Sequence, residues 1–226
     1  AENKHTKNAV AENVAQWVRP PRQSRSQESL ERILDAAEAE VSERGFEQAT
    51  VADIVRRAKS SVGSFYARFG EKDALLRCLY DRFNVEAVAT TDTVLDPARW
   101  GRTPVDQILS TTIPFLVDVY RQRGGLTRSF IRRAPADDEF PEHCSPLSKH
   151  LTARLTELLL TRRDEIRHPD PRLACELGLQ AVLGTLDMAA LLDGAGWCGR
   201  GLDDPELGRE LARLFAGYLG IVQAPE

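Results

Sequence analysis

Wherever this chain carries a hydrophobic pattern, the pattern recurs at helical spacing, and no alternating run bounded by hairpin turn signals interrupts it. Leu30, Ile33, Leu34, Ala37 and Val41 fall at i, i+3, i+4, i+7 and i+11, which is one stripe of one helix. That confines the chain to all-α architectures, in which helices hold together by burying such stripes against one another. At 226 residues it is long enough for one large domain or two small ones.

The helix ends are legible. Ser24-x-x-Gln27 has the spacing of a capping box, in which hydroxyl and side-chain amide satisfy free N–H groups reciprocally. A first helix therefore starts near Ser24 or Ser26 and closes at Gly45, a left-handed cap. Thr50-Val51-Ala52-Asp53 opens a second, which buries Val51, Ile54, Val55 and Ala58. After a turn at Lys59-Ser60, a third runs from about Ser61 to Phe69, with Val62, Phe65, Tyr66 and Phe69 at helical spacing, until Gly70 stops it. A fourth opens at Lys72 and carries Leu75, Leu76, Leu79, Tyr80 and Phe83. Thr103-Pro104-Val105-Asp106 supplies a cap, a proline at the first helical position and an acid at the third. Ser145-Pro146, Asp170-Pro171 and Asp204-Pro205 repeat the cap-then-proline order. These signals predict helices near 104–123, 146–167, 171–193 and 205–220, with a shorter one near 126–133, for about nine helices and no sheet. Residues 1–23 read as an arm, whose Val10, Val14, Trp17 and Val18 make one amphipathic turn pair that Pro20-Pro21 ends. The expected division is an arm at 1–23, a head at 24–72 and a larger domain at 73–226.

The segments 51–58 and 61–69, joined by a short turn and braced by the helix before them, match a helix-turn-helix. The second helix of such a pair needs small residues at its N-terminus so that its backbone can approach DNA, and Ser61-Val62-Gly63-Ser64 supplies them. Gly63 costs a helix roughly 1 kcal/mol relative to Ala. Clearance for DNA accounts for that cost; a packing contact with a neighbouring helix is the alternative. Charge as a sum points the other way, since 30 basic against 34 acidic residues leave −4. Its distribution matters more. Arg19, Arg22 and Arg25 lie in one acid-free stretch, and Arg56, Arg57, Lys59 and Arg68 in another. Such stretches suit a phosphate-binding face or, more simply, a solvated surface.

From Leu30 to Phe83 the sequences ILDAA, RGFEQATVADI and SVGSFYARFGEKDALL resemble the TetR family of transcriptional regulators over some 47 positions. The resemblance implies an N-terminal three-helix helix-turn-helix DNA-binding domain and a C-terminal helical domain for ligand binding and dimerisation. It further implies a symmetric homodimer on a palindromic double-stranded DNA operator, acting as a repressor that a small-molecule effector releases. Carried onto this chain, Thr50 and Tyr66 contact phosphates, and Ser61, Val62, Gly63, Ser64 and Arg68 face the major groove. Lys72 holds a phosphate at the start of the fourth helix, and Arg22 and Arg25 form a basic arm along the DNA. Four positions depart from the family's pattern. Lys59 and Ser60 stand where Gly and an aliphatic residue are common, so a non-glycine residue must take the turn conformation, and Lys59 can add a phosphate contact. Glu71 replaces a small capping residue. Val62 replaces a polar or basic one, which favours contact with a thymine methyl over a hydrogen bond. An activator of the same fold, or a helical ligand-binding or interaction protein without a specific operator, remains the alternative.

In the C-terminal part, Leu207, Leu211, Leu214 and Tyr218 form one stripe, and Leu177, Ala181, Gly184 and Met188 another on a helix apolar nearly all round. A helix with two apolar faces must be buried on two sides, so these are expected to be the halves of an intermolecular four-helix bundle. Pro114 is expected to kink the 104–123 helix. Trp100, Phe115, Tyr120 and Phe130, with the lone acid Asp187, are the candidate lining of an effector pocket, against the alternative of an ordinary aromatic core.

Nothing in the sequence points to an enzyme. His143 and His150, seven residues apart on one helix, would sit roughly 10 Å from each other, too far to share a metal. No nucleophile elbow, phosphate loop or dinucleotide fingerprint occurs. Cys78, Cys144, Cys175 and Cys198 are widely spaced, which argues against zinc and for reduced thiols in a cytoplasmic protein. No cofactor and no metal are expected. The apolar run from Gly178 to Leu192 is broken by Gln180 and Asp187 and is shorter than a bilayer span, and AENKHTKNAV has no signal-peptide core, so no membrane partner is expected.

Overall fold

The computed structural model describes residues 24–133, 146–192 and 204–221, and among these there are ten α-helices and no strand. They are α1 (Ser24–Arg44), α2 (Val51–Arg57), α3 (Val62–Phe69), α4 (Lys72–Val94), α5 (Pro97–Trp100), α6 (Val105–Gln122), α7 (Gly124–Arg133), α8 (Pro146–Leu160), α9 (Pro171–Leu191) and α10 (Asp204–Tyr218). The arm, with Arg22, lies outside the described residues. Arg25 falls in the first turn of α1 by its backbone alone.

Most ends fall where the caps place them, and the differences have local causes. The single turn α5 is additional: Asp96 caps it by accepting from the Ala98 N–H at 3.0 Å, and the Trp100 indole donates to the Val94 carbonyl at 2.8 Å. Helix α6 starts at Val105 with Pro104, not Thr103, at its cap; the free Val105 N–H is satisfied by Glu165 Oε2 at 2.8 Å, from 60 residues on. Helix α8 stops at Leu160 instead of continuing to 167. Arg162 gathers the carbonyls of Thr103, Gly101 and Leu158 at 2.5, 3.0 and 3.2 Å, which draws the chain into a 3-10 turn at Arg163–Glu165.

Two apolar clusters organise the chain. The first joins α1, α2 and α3 to the first half of α4 (Ala74, Leu75, Leu76, Cys78, Leu79), and it takes in Leu126 and Phe130 of α7. The second joins Leu95, α6, α8, α9 and α10, with α10 lying along α6. Pro114 sits inside α6, and Gly208 of α10 faces it so closely that a Cβ there would come within 3.0 Å of the Pro114 Cα. By length and composition alone α9 is long and apolar enough to cross a membrane, a test that a core helix of a water-soluble domain also passes. One side of it is packed: Ala174, Cys175, Gly178, Leu179, Val182, Leu183 and Leu186 are buried in the second cluster.

Helix α7 bridges the clusters. Its first turn lies directly on the end of α1, where a Cβ on Gly125 would approach the Val41 and Ser42 carbonyl oxygens to 2.4 and 2.5 Å. Ser129 Oγ accepts from the Phe46 N–H at 3.1 Å and donates to the Gly125 carbonyl at 2.6 Å. Arg133 pairs with Asp73 of α4 at 2.5 Å. Beside this joint, Arg82 pairs with Asp35, Glu38 and Glu86, and Arg123 with Glu38 and Glu86. The obstacle to a side chain at Gly125 is backbone, which cannot swing aside. Gly125→Ala should therefore cost about 1–3 kcal/mol of stability, as overpacking does, read as a lower urea midpoint; an unchanged midpoint would mean that α7 is free to lift off α1.

Candidate nucleic-acid interface

Helix α2 is fixed at both ends. Thr50 Oγ1 accepts from the Asp53 N–H at 3.1 Å and donates to Asp53 Oδ2 at 2.6 Å, while Arg56 pairs with the other carboxylate oxygen. The Thr50 hydroxyl, and after it Arg56, hold the Asp53 carboxyl below its ordinary value of 3.8. Arg57 reaches back to α1, donating to Glu40 at 3.1 Å and to Glu43 at 2.8 and 3.1 Å. One member of the basic stretch thus has its acids supplied from another helix.

The turn closes as a Schellman motif. The Ser60 N–H donates to the Val55 carbonyl at 2.8 Å and the Lys59 N–H to the Arg56 carbonyl at 3.2 Å, with Lys59 at φ +50°. Lys59 is the non-glycine residue that the sequence required to turn left-handed. Ser61 then caps α3 by accepting from the Ser64 N–H at 3.1 Å.

Helix α3 is divided lengthwise. Phe65 and Phe69 are buried, their rings 4.9 Å apart. Ser61, Val62, Gly63, Tyr66 and Ala67 face outward, with Val62 46% and Tyr66 48% exposed. Among the described residues no heavy atom of a neighbouring element lies within 4 Å of the place a Gly63 Cβ would take, so packing among them does not require a glycine there. The packing alternative for Gly63 is thereby removed. Ala67, which the sequence reading passed over, belongs to the outward face; its spacing of four from Gly63 was the available signal.

Two of the expected contact residues are partly buried. Arg68, three residues beyond the buried Phe65, is half-buried on the flank of α3; burial, and then the nearby Arg32, lower its pKa. Lys72 lies over the Phe46 ring, 4.3 Å from its centroid, and donates to the Phe46 carbonyl at 2.5 Å. Its ammonium finds the free carbonyls after α1, and burial lowers its pKa. Thr50 is exposed at the start of α2, and Ser61, Val62, Gly63 and Tyr66 share the outward face of α3, with Ser64 half-exposed beside them.

The candidate pocket residues are not brought together. Phe130 belongs to the first cluster, 5.0 Å from Tyr80 and 5.8 Å from Phe83 by ring centroids. Phe115 is exposed, and Trp100 packs on the edge of the second cluster. Tyr120 and Asp187 do meet: the phenol donates to Asp187 Oδ1 at 2.9 Å across α6 and α9, and burial, with Asp187 after it, raises the Tyr120 pKa. Along α9, Leu177, Ala181, Gly184 and Met188 are exposed in one line, which Leu173 and Leu192 extend at its ends. On α10, Leu214 and Tyr218 are exposed and Leu207 is half-buried against the second cluster; Leu211 is buried within its own chain, which takes it off the face expected to meet a partner.

The description "Bacterial regulatory proteins, tetR family" matches residues 33–79, and "Tetracyclin repressor-like, C-terminal domain" matches residues 104–219, about half of the chain. Among curated proteins, the chain is 33% identical over 88 residues to the Uncharacterized HTH-type transcriptional regulator YvdT of Bacillus subtilis, covering 39% of this chain and 41% of that protein. It is 33% identical over 60 residues to the A-factor receptor protein of Streptomyces griseus, covering 26% and 22%. The matched region thus spans less than half the length of these relatives. Among solved structures, it is similar to a tetR-family transcriptional regulator from Mesorhizobium loti with a TM-score of 0.69 at 19% identity, over 88% of this chain and 98% of that one. The transcriptional regulator FadR from Bacillus subtilis, solved with stearoyl-CoA, gives 0.58 at 17% identity, over 86% and 100%. At these identities the likeness is one of fold.

Two residues of this surface carry backbone costs that can be measured. Lys59→Gly, which relieves a left-handed lysine, and Gly63→Ala, which removes a helical glycine with open space around it, should each raise the unfolding free energy by up to about 1 kcal/mol. A loss of stability in Gly63→Ala would reinstate a packing role. Thr50→Val should let the Asp53 pKa climb back toward 3.8 in an NMR titration. Because the folded value is the lower one, the stability Asp53 contributes is present above 3.8 and disappears as pH falls through the folded value.

Proposed function

Given that the chain belongs to the tetR family of bacterial regulatory proteins, DNA-binding transcriptional regulators with a ligand-binding C-terminal domain, we propose that it is a cytoplasmic repressor that binds a palindromic operator as a homodimer and leaves it when a small-molecule effector binds. The observation that carries this reading is the outward face of α3. An eight-residue helix, capped and anchored by two buried phenylalanines, presents small and partly exposed side chains, and among the described residues nothing lies within 4 Å of the place a Gly63 Cβ would take. That is the form of a helix built to enter a major groove.

The dimer reading is supported by the exposed line on α9. Leu173, Leu177, Met188 and Leu192 are each between 41% and 50% exposed, with Ala181 and Gly184 between them to let a second helix approach closely. Leu214 and Tyr218 of α10 extend the same kind of surface. A monomer would leave all of it in water.

The switch reading follows the connections between the clusters. Effector binding beside the Tyr120–Asp187 pair would displace α6 against α9. Helix α6 runs through Arg123 into α7, whose Arg128 donates to the Ala190 carbonyl of α9 at 2.8 Å and whose Leu126 and Phe130 lie in the head's core. Any displacement would reach the head through α7 as well as through α4. The effector moves the equilibrium only as far as its affinities for the operator-bound and released states differ.

Selection of bound fragments from random duplex DNA by the full chain should return inverted repeats. Sedimentation at micromolar concentration should give particles of twice the chain mass, and Leu177→Glu with Leu214→Glu should reduce these to monomers that lose most operator affinity. Monomers at every concentration in the unaltered chain, or recovered DNA with no sequence in common, would overturn the proposal.

A further inference from the structure

The major groove offers each base pair a different set of partners. Guanine is read by the fork of Arg or the ammonium of Lys, adenine by the amide of Asn or Gln, and cytosine by a carboxylate; thymine alone presents a methyl group. The outward face of α3 can be set against that code residue by residue. The helix VGSFYARF contains no Asn, Gln, Asp or Glu, and Arg68 is its single cation. Arg68 is turned to the flank, half-buried, with its Nε closed to solvent. Lys72, the next cation along, is held over the Phe46 ring and on the Phe46 carbonyl. The Ser61 oxygen already accepts the Ser64 N–H.

Apart from the hydroxyls of Ser61, Ser64 and Tyr66, what remains on the face is hydrocarbon. Val62 presents two methyl groups and Ala67 one, and they flank Gly63 and Tyr66 within an arc of about 140° at 100° per residue. Around Gly63 the space is open, so the α3 backbone can seat deeper than it could with any side chain there. This depth matters because side chains as short as Val and Ala reach the base edges only when the backbone itself comes close.

We propose that α3 reads its half-site through thymine C5-methyl groups, with Val62 and Ala67 as the specificity-determining residues and Gly63 setting the depth at which the helix seats. The inference rests on the reading of the chain as a DNA-binding regulator and adds what its operator must contain. Each half-site carries thymines, on either strand, opposite Val62 and Ala67, and lacks a guanine that only a forked cation could read at those steps.

The test replaces thymine by uracil, which differs only in lacking the methyl group. Duplexes selected from random DNA by the full chain are resynthesised with uracil at one thymine at a time, and their affinities are measured by fluorescence anisotropy at fixed salt. The expected result is a thymine-rich half-site in which two positions lose about three- to five-fold on substitution, the transfer value of one methyl group. Val62→Ser should abolish the penalty at one of these positions and leave the other intact. Enriched sites that are insensitive to uracil throughout, or half-sites whose conserved steps are guanines, would overturn methyl readout while leaving DNA binding standing. Recovery of no common sequence would bring down both.

Discussion

Helix α3 is too short to exist alone. Eight residues are well below the ~12–15 at which even favourable sequences become marginally helical in water, so α3 is held by what it buries. Phe65 is fully enclosed and Phe69 nearly so in the cluster that α1, α2 and α4 share. Burying each contributes on the order of 1.5–3 kcal/mol, and their spacing of four decides which way the helix is turned. Everything on the opposite side, from Val62 to Ala67, is exposed because these two rings are not. The proposed recognition surface is the complement of a packing decision.

The head is in turn held by more than the helix that leads out of it. Helix α4 carries the first cluster over its first two turns, but α7 arrives from beyond α6 to complete it with Leu126 and Phe130. Gly125 lets the backbones of α7 and α1 touch, and the Arg82 and Arg123 pairs surround the joint with charge. The Arg123 guanidinium also lies 5.5 Å from the Phe83 ring centroid. A head attached at two places has its orientation set by the relative positions of α4 and α7. That is the geometry a ligand-binding domain needs if it is to act on DNA at a distance.

What could be read in the sequence was whatever depends on neighbours within a few residues. Thr50, Ser61 and Asp170 cap their helices as their positions require, and the need for a left-handed residue at the turn was visible from the absence of glycine, with Lys59 supplying it. What could not be read depends on partners distant along the chain. The position of Lys72 at a helix start points to a phosphate, but nothing in the sequence points to the carbonyl that its ammonium meets, which belongs to Phe46, 26 residues earlier. Phe130 looked like a pocket residue because Phe115 and Tyr120 precede it, and it is drawn instead into the head by α7. Leu211 shares a helical stripe with Leu214, yet that stripe is wide enough for one to enter the core and the other to stay outside. Charge followed the same rule: the stretch around Arg57 holds no acid, and Glu40 and Glu43 meet it from α1.

The central claim, that the outward face of α3 is the surface that meets DNA, is tested most directly by a photo-crosslinking residue in place of Ala67. This position is exposed and lies on the face away from Phe65. Crosslinks should form from it to bases within each half-site of a selected duplex. A probe that leaves the DNA bound but crosslinks to none of its bases, while one on another face of the head does, would contradict it.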